Sequence, residues 1–409
     1  MAGLKAKMLS WAKQFNIFCL LDNQQYAIAP HRYECLLAAD ARASCASGNL
    51  ADLDAFIQKG SWTFGHLSYE LKSAIHEMPG VQEDKTGFPL FYFFRPRYLL
   101  LLKDGVLHIH GPSAEKVLEA LLAIENEEGK VNRVEVVPGL TKDAYIRKIK
   151  KLQEHIRRGD CYEINFCQEF YAETAVVDPV HLYEVLVKES PNPFSALYRY
   201  EDSYLLCASP ERFLFREGDC LLSQPIKGTI RRNLDDSSED AALKEALRQS
   251  AKDRAENVMI VDLVRNDLSV ICKDSSVQVE ELFGIYPFPQ VHHMISTISG
   301  TIDPDITFSE IISATFPMGS MTGAPKRRVM ELIDAYEESP RGIFSGSVGY
   351  IDPSGGFDFN VVIRSIMYNA GSGYLSYKVG SGITVYSDPE AEWEECLLKA
   401  AAIKKVLAS

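Results

Sequence analysis

Strand-like and helix-like segments follow one another in irregular blocks along this chain, and that order constrains its fold more than any other feature. The stretch from about residue 159 to 230 is rich in β-forming residues, whereas helices, loops and glycine-broken strands share the remainder of the C-terminal half. A doubly wound parallel sheet requires a regular alternation of strand and helix, which is missing here. The order therefore favours an α+β fold.

Two patterns in the first half of the chain mark individual elements. In YLLLLKDGVLHIHG, Asp104-Gly105 separates two apolar runs and predicts a β-hairpin. From Thr141 or Asp143 to Arg158 apolar residues recur with helical spacing, and Gly159 is a suitable stop signal. We therefore expect an antiparallel strand pair and, later, an amphipathic helix.

Two further helices are predicted in the second half. One runs from about Ser238, a residue type that caps helices, to Val264. The other follows Asp388-Pro389, where an Asp cap precedes a proline in the first turn, and continues to the end of the sequence.

The acidic balance of the chain excludes some classes of function. Its 409 residues include 56 acidic and 43 basic side chains, a formal net charge of −13, which argues against a dedicated nucleic-acid binder. No stretch approaches the roughly 20 apolar residues of a membrane span. The nine cysteines are scattered without a CxxC pair, as is typical of reduced thiols. We expect a soluble, cytoplasmic protein.

Acidic side chains occur three residues apart in two of the predicted helices. Asp253 and Glu256 form one pair, and Glu392 and Glu395 form the other; this spacing places both members of a pair on one helix face. In the terminal helix Glu394 points away from the apolar stripe and into water. Two facing pairs of carboxylates would suit Mg²⁺, which prefers oxygen ligands. The alternative is that both pairs lie on solvated helix faces.

Lys227 and Glu211 are candidates for proton or nucleophilic chemistry. In QPIKGTIRR, Lys227 lies near Arg231 and Arg232, and such neighbours predict a lowered pKa and a nucleophilic amine. In SPERF, Glu211 follows a proline, and a buried carboxyl there would serve as a general acid or base. The alternatives are a solvated loop lysine and a paired structural glutamate.

Three further segments carry weaker signals. His292 and His293 begin an apolar strand, where one histidine is suited to proton chemistry or to a structural hydrogen bond. GSMTGAPK is a small-residue loop that opens a helix, where backbone N–H groups and Lys326 would bind an anion. Arg364 in NVVIRS occupies an inward-looking strand position, and a buried arginine requires a carboxylate from the protein or from a ligand.

Taken together, these motifs resemble a known family. SPERF, PIKGT, KDRAENVMIVDLVRNDL, PFPQVHHMIS, FPMGSMTGAPK, SGSVGY, VVIRS and DPEAEWEE, within residues 209–395, resemble the chorismate-utilising enzymes, and FGHLSYEL and GDCYEINFCQEF extend the similarity towards the N-terminus. The resemblance implies an α/β sandwich of two packed antiparallel sheets, with helices outside and the active site between the sheets. It also implies an N-terminal part, residues 1–135, and a chorismate-binding catalytic domain, residues 140–409, joined by the polar stretch 125–139.

The resemblance assigns roles to the candidate residues. It implies Mg²⁺ that bridges a substrate carboxylate, with Glu256 and Glu395 as direct ligands and Asp253 and Glu392 acting through water. The active-site histidine would be His293, and Glu211 would assist departure of the ring hydroxyl. The substrate would be bound by Arg364, Lys326, Thr322, Gly323, Gly380 and Gly382.

Lys227 indicates which reaction the resemblance implies. Family members that form anthranilate carry alanine at this position of the P-I-x-G-T motif, whereas those that aminate chorismate at carbon 4 carry lysine. A lysine adduct at carbon 2 splits that substitution into two easier displacements. We expect 4-amino-4-deoxychorismate, for p-aminobenzoate and folate synthesis, with ammonia supplied by a separate glutamine amidotransferase subunit. Anthranilate formation and a non-catalytic, ligand-binding role are the alternatives.

Some positions depart from the family pattern. Glu163 stands where many members have glutamine and the isomerising members have lysine, which argues against isochorismate formation. Met318 replaces a usual glycine, so the loop around it is expected to be slightly reshaped. The segment LLDN, residues 20–23, lacks the serine of the amino-acid inhibitor motif, which argues against feedback inhibition by tryptophan.

Overall fold

The computed structural model describes residues 2–26, 28–46, 49–57, 60–79, 84–125, 129 and 132–408. The helices in this part of the chain are α1 Ala2–Ala12, α2 Leu50–Phe56, α3 Lys72–Ile75, α4 Ala114–Ala123, α5 Lys142–Arg157, α6 Pro179–Glu189, α7 Ser237–Gln249, α8 Ala251–Ser269, α9 Phe308–Thr315, α10 Lys326–Tyr336, α11 Pro389–Lys399 and α12 Ala401–Ala408. Single 3₁₀ turns lie at Tyr69–Leu71 and Gly319–Met321.

The strands lie between these helices in uneven groups. They are β1 Ile17–Asp22, β2 Cys35–Cys45, β3 Thr63–Leu67, β4 Phe91–Lys103, β5 Val106–His110, β6 Val137–Pro138, β7 Glu163–Ala172, β8 Phe194–Tyr200, β9 Ser203–Ser209, β10 Arg212–Glu217, β11 Cys220–Gln224, β12 Ile226–Arg231, β13 Gln278–Pro287, β14 Val291–Thr301, β15 Gly323–Ala324, β16 Ser347–Ile351, β17 Phe357–Asn360, β18 Ser365–Asn369 and β19 Leu375–Ile383.

Several predicted elements are confirmed. Asp104 and Gly105, with φ values of 51° and 74°, form the tight turn between β4 and β5. Helix α5 begins after Thr141, whose side chain accepts a hydrogen bond from the N–H of Ala144. Asp388 caps α11 in the same way, although the terminal helical segment divides into α11 and α12.

The long helix predicted from Ser238 to Val264 is wrong in two respects. Asp236, not Ser238, caps the first helix, since its side chain accepts from the N–H groups of Ser238 and Glu239. The segment also breaks at Ser250, which has extended backbone angles and caps α8 by accepting from the N–H of Asp253. A serine inside a helical pattern can cap a new helix instead of continuing the old one, and here it redirects the helix that carries two candidate site residues.

The described strand pairs are antiparallel, which confirms the α+β class. A hydrogen-bonded path runs from β7 through β19, β18, β9, β8 and β1 to β2 and β4, and from there through β3, β16, β17, β10 and β11 to β14. The two predicted sheets are therefore halves of one continuous sheet, which are joined through β2 and β4.

Residue alternation explains how this sheet forms two cores. On β8 and β9, Tyr198 and Leu205 face an inner core that also contains Phe359 of the other half. Their neighbours Leu197 and Leu206 face an outer core formed with helices that include α5 and α6. Because side chains alternate along a strand, one strand serves both cores. Each buried apolar side chain of this size stabilises the fold by roughly 1.5–3 kcal/mol.

The first 135 residues are hydrogen-bonded to the remainder of the chain, since β1 pairs with β8 and β3 pairs with β16. The division into 1–135 and 140–409 stays a prediction, and residues 126–128, 130 and 131 of the proposed connector lie outside the described residues. Within the described ranges, none of the helices has the length and apolar character needed to cross a bilayer.

Candidate active site

Lys227 and Glu163 form a mostly buried ion pair at the centre of the site. Lys227 lies on β12, and its Nζ is 2.6 Å from Oε1 of Glu163, at the start of β7. Burial alone would lower the pKa of Lys227. The carboxylates of Glu163, Glu256 and Glu395 have the larger effect and raise this pKa. The lowered pKa expected from Arg231 and Arg232 is therefore wrong.

The arginines of this segment do not determine the charge of Lys227. Arg232 is held by Asp240 through an ion pair of 2.8 Å. Acidic residues from other elements surround Lys227 instead, and the sequence around the lysine contains no sign of them.

Glu211 lies buried in the link between β9 and β10. Burial raises the pKa of its carboxyl to about 7, although the positive charges of Lys227 and Arg364 oppose the shift. A buried carboxyl with a pKa near neutrality carries a proton in a large fraction of molecules at pH 7. Glu211 is thus suited to the predicted role of general acid.

His293 is a buried, neutral side chain on β14. Burial and the nearby charge of Arg364 lower the pKa of His293 well below its ordinary value. Arg364 Nη2 donates to Nε2 of His293 over 3.3 Å, which assigns the ring proton to Nδ1, 2.8 Å from Oγ1 of Thr229. Phe288 packs edge-on against the ring at a centroid distance of 4.8 Å.

Arg364 precedes β18 rather than lying within a strand as predicted. Its φ of 51° is unusual for a residue with a Cβ. Burial lowers the pKa of Arg364 to about 10, although the charge of Glu211 opposes this shift. Among the described residues Arg364 has His293 as its side-chain hydrogen-bond partner and makes no ion pair. The guanidinium therefore has donors to offer to an anionic ligand.

The four acidic candidates lie on two helices that face the same region. Burial raises the pKa of Glu256 on α8 to about 7, and Lys227 opposes this shift. Glu395 on α11 is 2.8 Å from Lys399, which lowers its pKa despite partial burial. The hydroxyl of Ser250 donates to Asp253.

Lys252 shows that these carboxylates share one neighbourhood. Burial alone would lower the pKa of Lys252. The negative charges of four carboxylates have the larger effect and raise it; in decreasing order of effect they belong to Glu256, Glu392, Glu395 and Asp253. Glu392 is 3% exposed, whereas the side chain of Glu394 is 64% exposed, which confirms the predicted orientations. The solvated-face alternative therefore fails for Glu392.

The oxygen-only character of this set fits Mg²⁺. Within the part of the chain described here, no three His, Cys, Asp or Glu side chains converge closely enough to form a ready metal cluster. Mg²⁺ is commonly held by one or two protein carboxylates, with waters and substrate oxygens as the remaining ligands. The chemistry of the residues is thus compatible with Mg²⁺.

Three glycines let the backbone lie close to Glu163, Lys227 and their neighbours. Gly382 on β19 lies beside the ion pair, and a Cβ at this position would collide with both Glu163 Oε1 and Lys227 Nζ. Gly323, with a φ of 143°, lies against the carbonyl of Glu163, where a Cβ would collide with the backbone. Gly380 packs against the sulfur of Cys167, where a Cβ would collide with the side chain.

The loop before α10 is held by its own hydrogen bonds. Thr322 is fully buried; its hydroxyl donates to the carbonyl of Met318 over 3.1 Å, and its carbonyl accepts from the N–H of Asn165 over 2.7 Å. Lys326 Nζ is 2.6 Å from Asp267 and donates to the carbonyl of Thr315. The ammonium of Lys326 is therefore already paired, unlike the guanidinium of Arg364.

The structure also adds a residue that sequence reasoning left without a role in the site. In the sequence, Glu163 stands out only as a departure from a family pattern, yet it is the ion-pair partner of Lys227. Its position at the start of β7, 64 residues before Lys227, gives no spacing signal. A buried acidic residue in an otherwise strand-forming segment is the one signal that could have identified it.

Comparison with known proteins places this chain among related sequences. The model of a family described as "chorismate binding enzyme" matches residues 11–405. The chain is 43% identical over 280 residues to a rice protein named probable aminodeoxychorismate synthase, chloroplastic, a match that covers 68% of this chain and 31% of that protein. It is 41% identical over 268 residues to aminodeoxychorismate synthase component 1 of Escherichia coli K12, covering 66% of this chain and 58% of that protein.

Other relatives carry different names. The chain is 33% identical over 356 residues to an anthranilate synthase component I-like protein of Synechocystis, covering 85% of this chain and 73% of that protein. The solved anthranilate synthase component I of Streptococcus pneumoniae superposes with a TM-score of 0.82 at 24% identity, covering 94% and 95% of the two chains. That likeness confirms the fold. The matches to the rice and Escherichia coli proteins span about a third and somewhat over half of those proteins, respectively.

Proposed function

Because this chain belongs to the family of chorismate binding enzymes, we propose that it replaces the carbon-4 hydroxyl of chorismate by an amino group, forming 4-amino-4-deoxychorismate for p-aminobenzoate and folate synthesis. The observation that carries this proposal is Lys227, a primary amine whose charge, together with that of Arg364, acts on the protonatable carboxyl of Glu211. The names of the rice and Escherichia coli relatives support the same reaction.

The proposed reaction consists of two displacements with an allylic shift. The neutral amine of Lys227 attacks carbon 2 of chorismate, both conjugated ring double bonds shift towards carbon 4, and the carbon-4 hydroxyl leaves with the proton of Glu211 as water. Ammonia then attacks carbon 4, the double bonds return and the bond between carbon 2 and Lys227 breaks. The ammonium formed at carbon 4 returns one proton to Glu211. A covalent adduct thus divides one difficult substitution into two easier ones.

The other site residues bind and orient the substrate. Arg364 binds one substrate carboxylate through its unpaired N–H groups, and His293 fixes the guanidinium through Nε2. The backbone around Thr322, Gly323, Gly380 and Gly382 is proposed to contact the substrate, since Gly382 leaves room beside Glu163 and Lys227 and Gly323 leaves room beside Glu163. Lys326 is proposed to approach the substrate while its ammonium stays paired with Asp267.

We assign Mg²⁺ to the acidic pairs of α8 and α11. Glu256 and Glu395 would hold the ion directly, and Asp253 and Glu392 would act through water. When bound, the ion supplies positive charge that neutralises a substrate carboxylate in a protein of net charge −13. The partial burial of Glu256, which raises its pKa to about 7, supports a site where a cation is required.

Ammonia is proposed to come from a separate glutamine amidotransferase subunit in a heterodimer. The nine cysteines, all without disulfides, fit a reducing compartment, and we propose the cytoplasm.

The alternative activity is direct addition of ammonia at carbon 2, leading to anthranilate. This alternative is supported by the name of another relative, anthranilate synthase component 1 of Haloferax volcanii, to which the chain is 37% identical over 305 residues.

Product analysis tests the proposal. The purified chain is incubated with chorismate, MgCl₂ and an ammonium salt, and an aminodeoxychorismate lyase is then added. The proposal expects p-aminobenzoate. Fluorescent anthranilate instead would establish the alternative, and unchanged chorismate would support a non-catalytic binding role. Omission of the lyase is the control, because p-aminobenzoate should then be absent.

A further inference from the structure

Glu163 is the acidic group closest to the proposed nucleophile, and the reaction described above assigns it no role. Its side chain is 2% exposed, and Oε1 lies 2.6 Å from Nζ of Lys227. Oε2 is buried and has no hydrogen-bond partner among the described residues. A buried carboxylate with an unoccupied oxygen is costly unless it serves a charge partner or a ligand.

Neighbouring strands hold the backbone at Glu163 and leave space for its ion pair with Lys227. Ala324 of β15 pairs with Glu163, and on the other side of β7 Ile383 of β19 pairs with Ile164. Gly382 leaves space at the carboxylate and the ammonium together, since any Cβ there would collide with both. Strands on both sides therefore fix the backbone at Glu163, and the space left by Gly382 allows its carboxylate to meet the ammonium of Lys227.

The charge on Lys227 makes an acceptor necessary. An ammonium has no lone pair and cannot attack carbon 2 until it loses a proton. The charged groups that face Lys227 are Glu163 from β7, Glu256 from α8, Glu395 from α11 and Glu211 from the link before β10. Among these, Glu163 is the one at hydrogen-bond distance from Nζ, and Glu211 is assigned to the leaving hydroxyl.

We propose that Glu163 is a further catalytic residue, which takes a proton from the ammonium of Lys227 when chorismate binds and returns it when the lysine is expelled. This proposal rests on the proposed function. The proton moves from Nζ to Oε1, and the freed electron pair forms the bond to carbon 2. When that bond breaks, Lys227 leaves as an amine and recovers the proton from Glu163. Glu163 and Lys227 thus end as they began, and the net change is chorismate plus ammonia to product plus water.

Chemical labelling of Lys227 tests the pair without any turnover. Wild-type protein and Glu163→Gln are treated briefly with acetic anhydride across a pH series, and acetylation of Lys227 is measured by peptide mass spectrometry. The variant loses the adjacent carboxylate, so acetylation at neutral pH should rise at least about tenfold. Glu169→Gln is the matched control, because Glu169 lies on the same strand, is mostly buried and pairs with Lys378 at 3.0 Å. Unchanged labelling in Glu163→Gln would overturn the proposal.

The pH dependence of adduct formation tests the catalytic role. In the wild type the proton remains within the pair, so the single-turnover rate should show only the decline above pH 7 due to Glu211. In Glu163→Gln the proton must leave to solvent, so the rate should also rise about tenfold per pH unit on the acidic side. Glu163→Asp keeps a carboxylate and should keep the wild-type profile. Identical profiles for Glu163→Gln and wild type would refute the role.

These two experiments separate the proposals. If Lys227 labelling responds to Glu163→Gln but the wild type forms no p-aminobenzoate, the proposed function fails while the ion pair stands. If p-aminobenzoate forms and neither labelling nor the pH profile responds, the role of Glu163 fails alone.

Discussion

Arg364 donates a hydrogen bond to the neutral ring of His293, with 3.3 Å between Nη2 and Nε2. Burial and the charge of Arg364 keep the pKa of His293 well below its ordinary value. The histidine therefore orients the guanidinium without adding a second positive charge. The guanidinium is therefore a partly buried cation, fixed on one side, whose remaining donors are available to a substrate carboxylate.

Replacement of Arg364 by lysine should weaken chorismate binding. Lysine keeps the charge but loses the planar pair of donors that matches a carboxylate. We expect KM for chorismate to rise at least about tenfold, with a smaller change in kcat. Arg328→Lys is the control, since Arg328 lies partly exposed in an ion pair with Glu331. An unchanged KM in Arg364→Lys would remove Arg364 from the binding site.

The activity should decline as pH rises through about 7, the pKa to which burial raises Glu211. The sign follows from its role, because Glu211 must carry a proton when the hydroxyl leaves and loses that proton above its pKa. Glu211→Gln should lower kcat by roughly 10²–10⁴-fold and abolish this limb. The measurement is kcat against pH at saturating chorismate. A limb that persists in Glu211→Gln belongs to another group.

Glu395 and Glu394 provide a matched test of the Mg²⁺ assignment on one helix. Glu395→Gln removes a proposed ligand, whereas Glu394→Gln alters a side chain that is 64% exposed. We expect the half-saturating Mg²⁺ concentration to rise roughly 10–100-fold in the first variant and to stay unchanged in the second. Isothermal titration of Mg²⁺ in the presence of chorismate measures it. Equal Mg²⁺ affinities in the two variants would exclude Glu395 as a ligand.

Short sequence patterns predicted those turns and helix ends that are set by residues next to one another in the chain. The turn at Asp104-Gly105 and the cap at Asp388 follow from backbone preferences of single residues, and both are confirmed. The break at Ser250 was missed because a serine is compatible with either helix interior or cap, and tertiary packing decides between them.

The site was predicted less completely, because its charges come from distant parts of the chain. The sequence placed Lys227 beside arginines and suggested a lowered pKa, whereas Glu163, Glu256 and Glu395 raise it. Helical spacing predicted the buried orientation of Glu392. Spacing cannot show which strand or helix approaches another, and that information decides the protonation state of a buried group.

Lys227→Ala should abolish p-aminobenzoate formation while leaving the fold intact, since the lysine contributes a nucleophile and a buried charge rather than core packing. Without it, ammonia reaches carbon 2 directly, and any remaining product should be of the anthranilate type. Product analysis by chromatography after lyase treatment measures both. Full p-aminobenzoate formation by Lys227→Ala would contradict the covalent route. Circular dichroism of the variant checks that it remains folded.

Direct observation of the adduct tests the central claim most sharply. Wild-type protein is mixed with chorismate and MgCl₂ in the absence of ammonia, quenched in acid and digested for mass spectrometry. We predict that the peptide containing Lys227 gains the mass of chorismate minus water, and that a chase with ammonium before the quench removes this mass. Product formation on adding ammonium, with Lys227 unmodified at every quench time before it, would contradict the account.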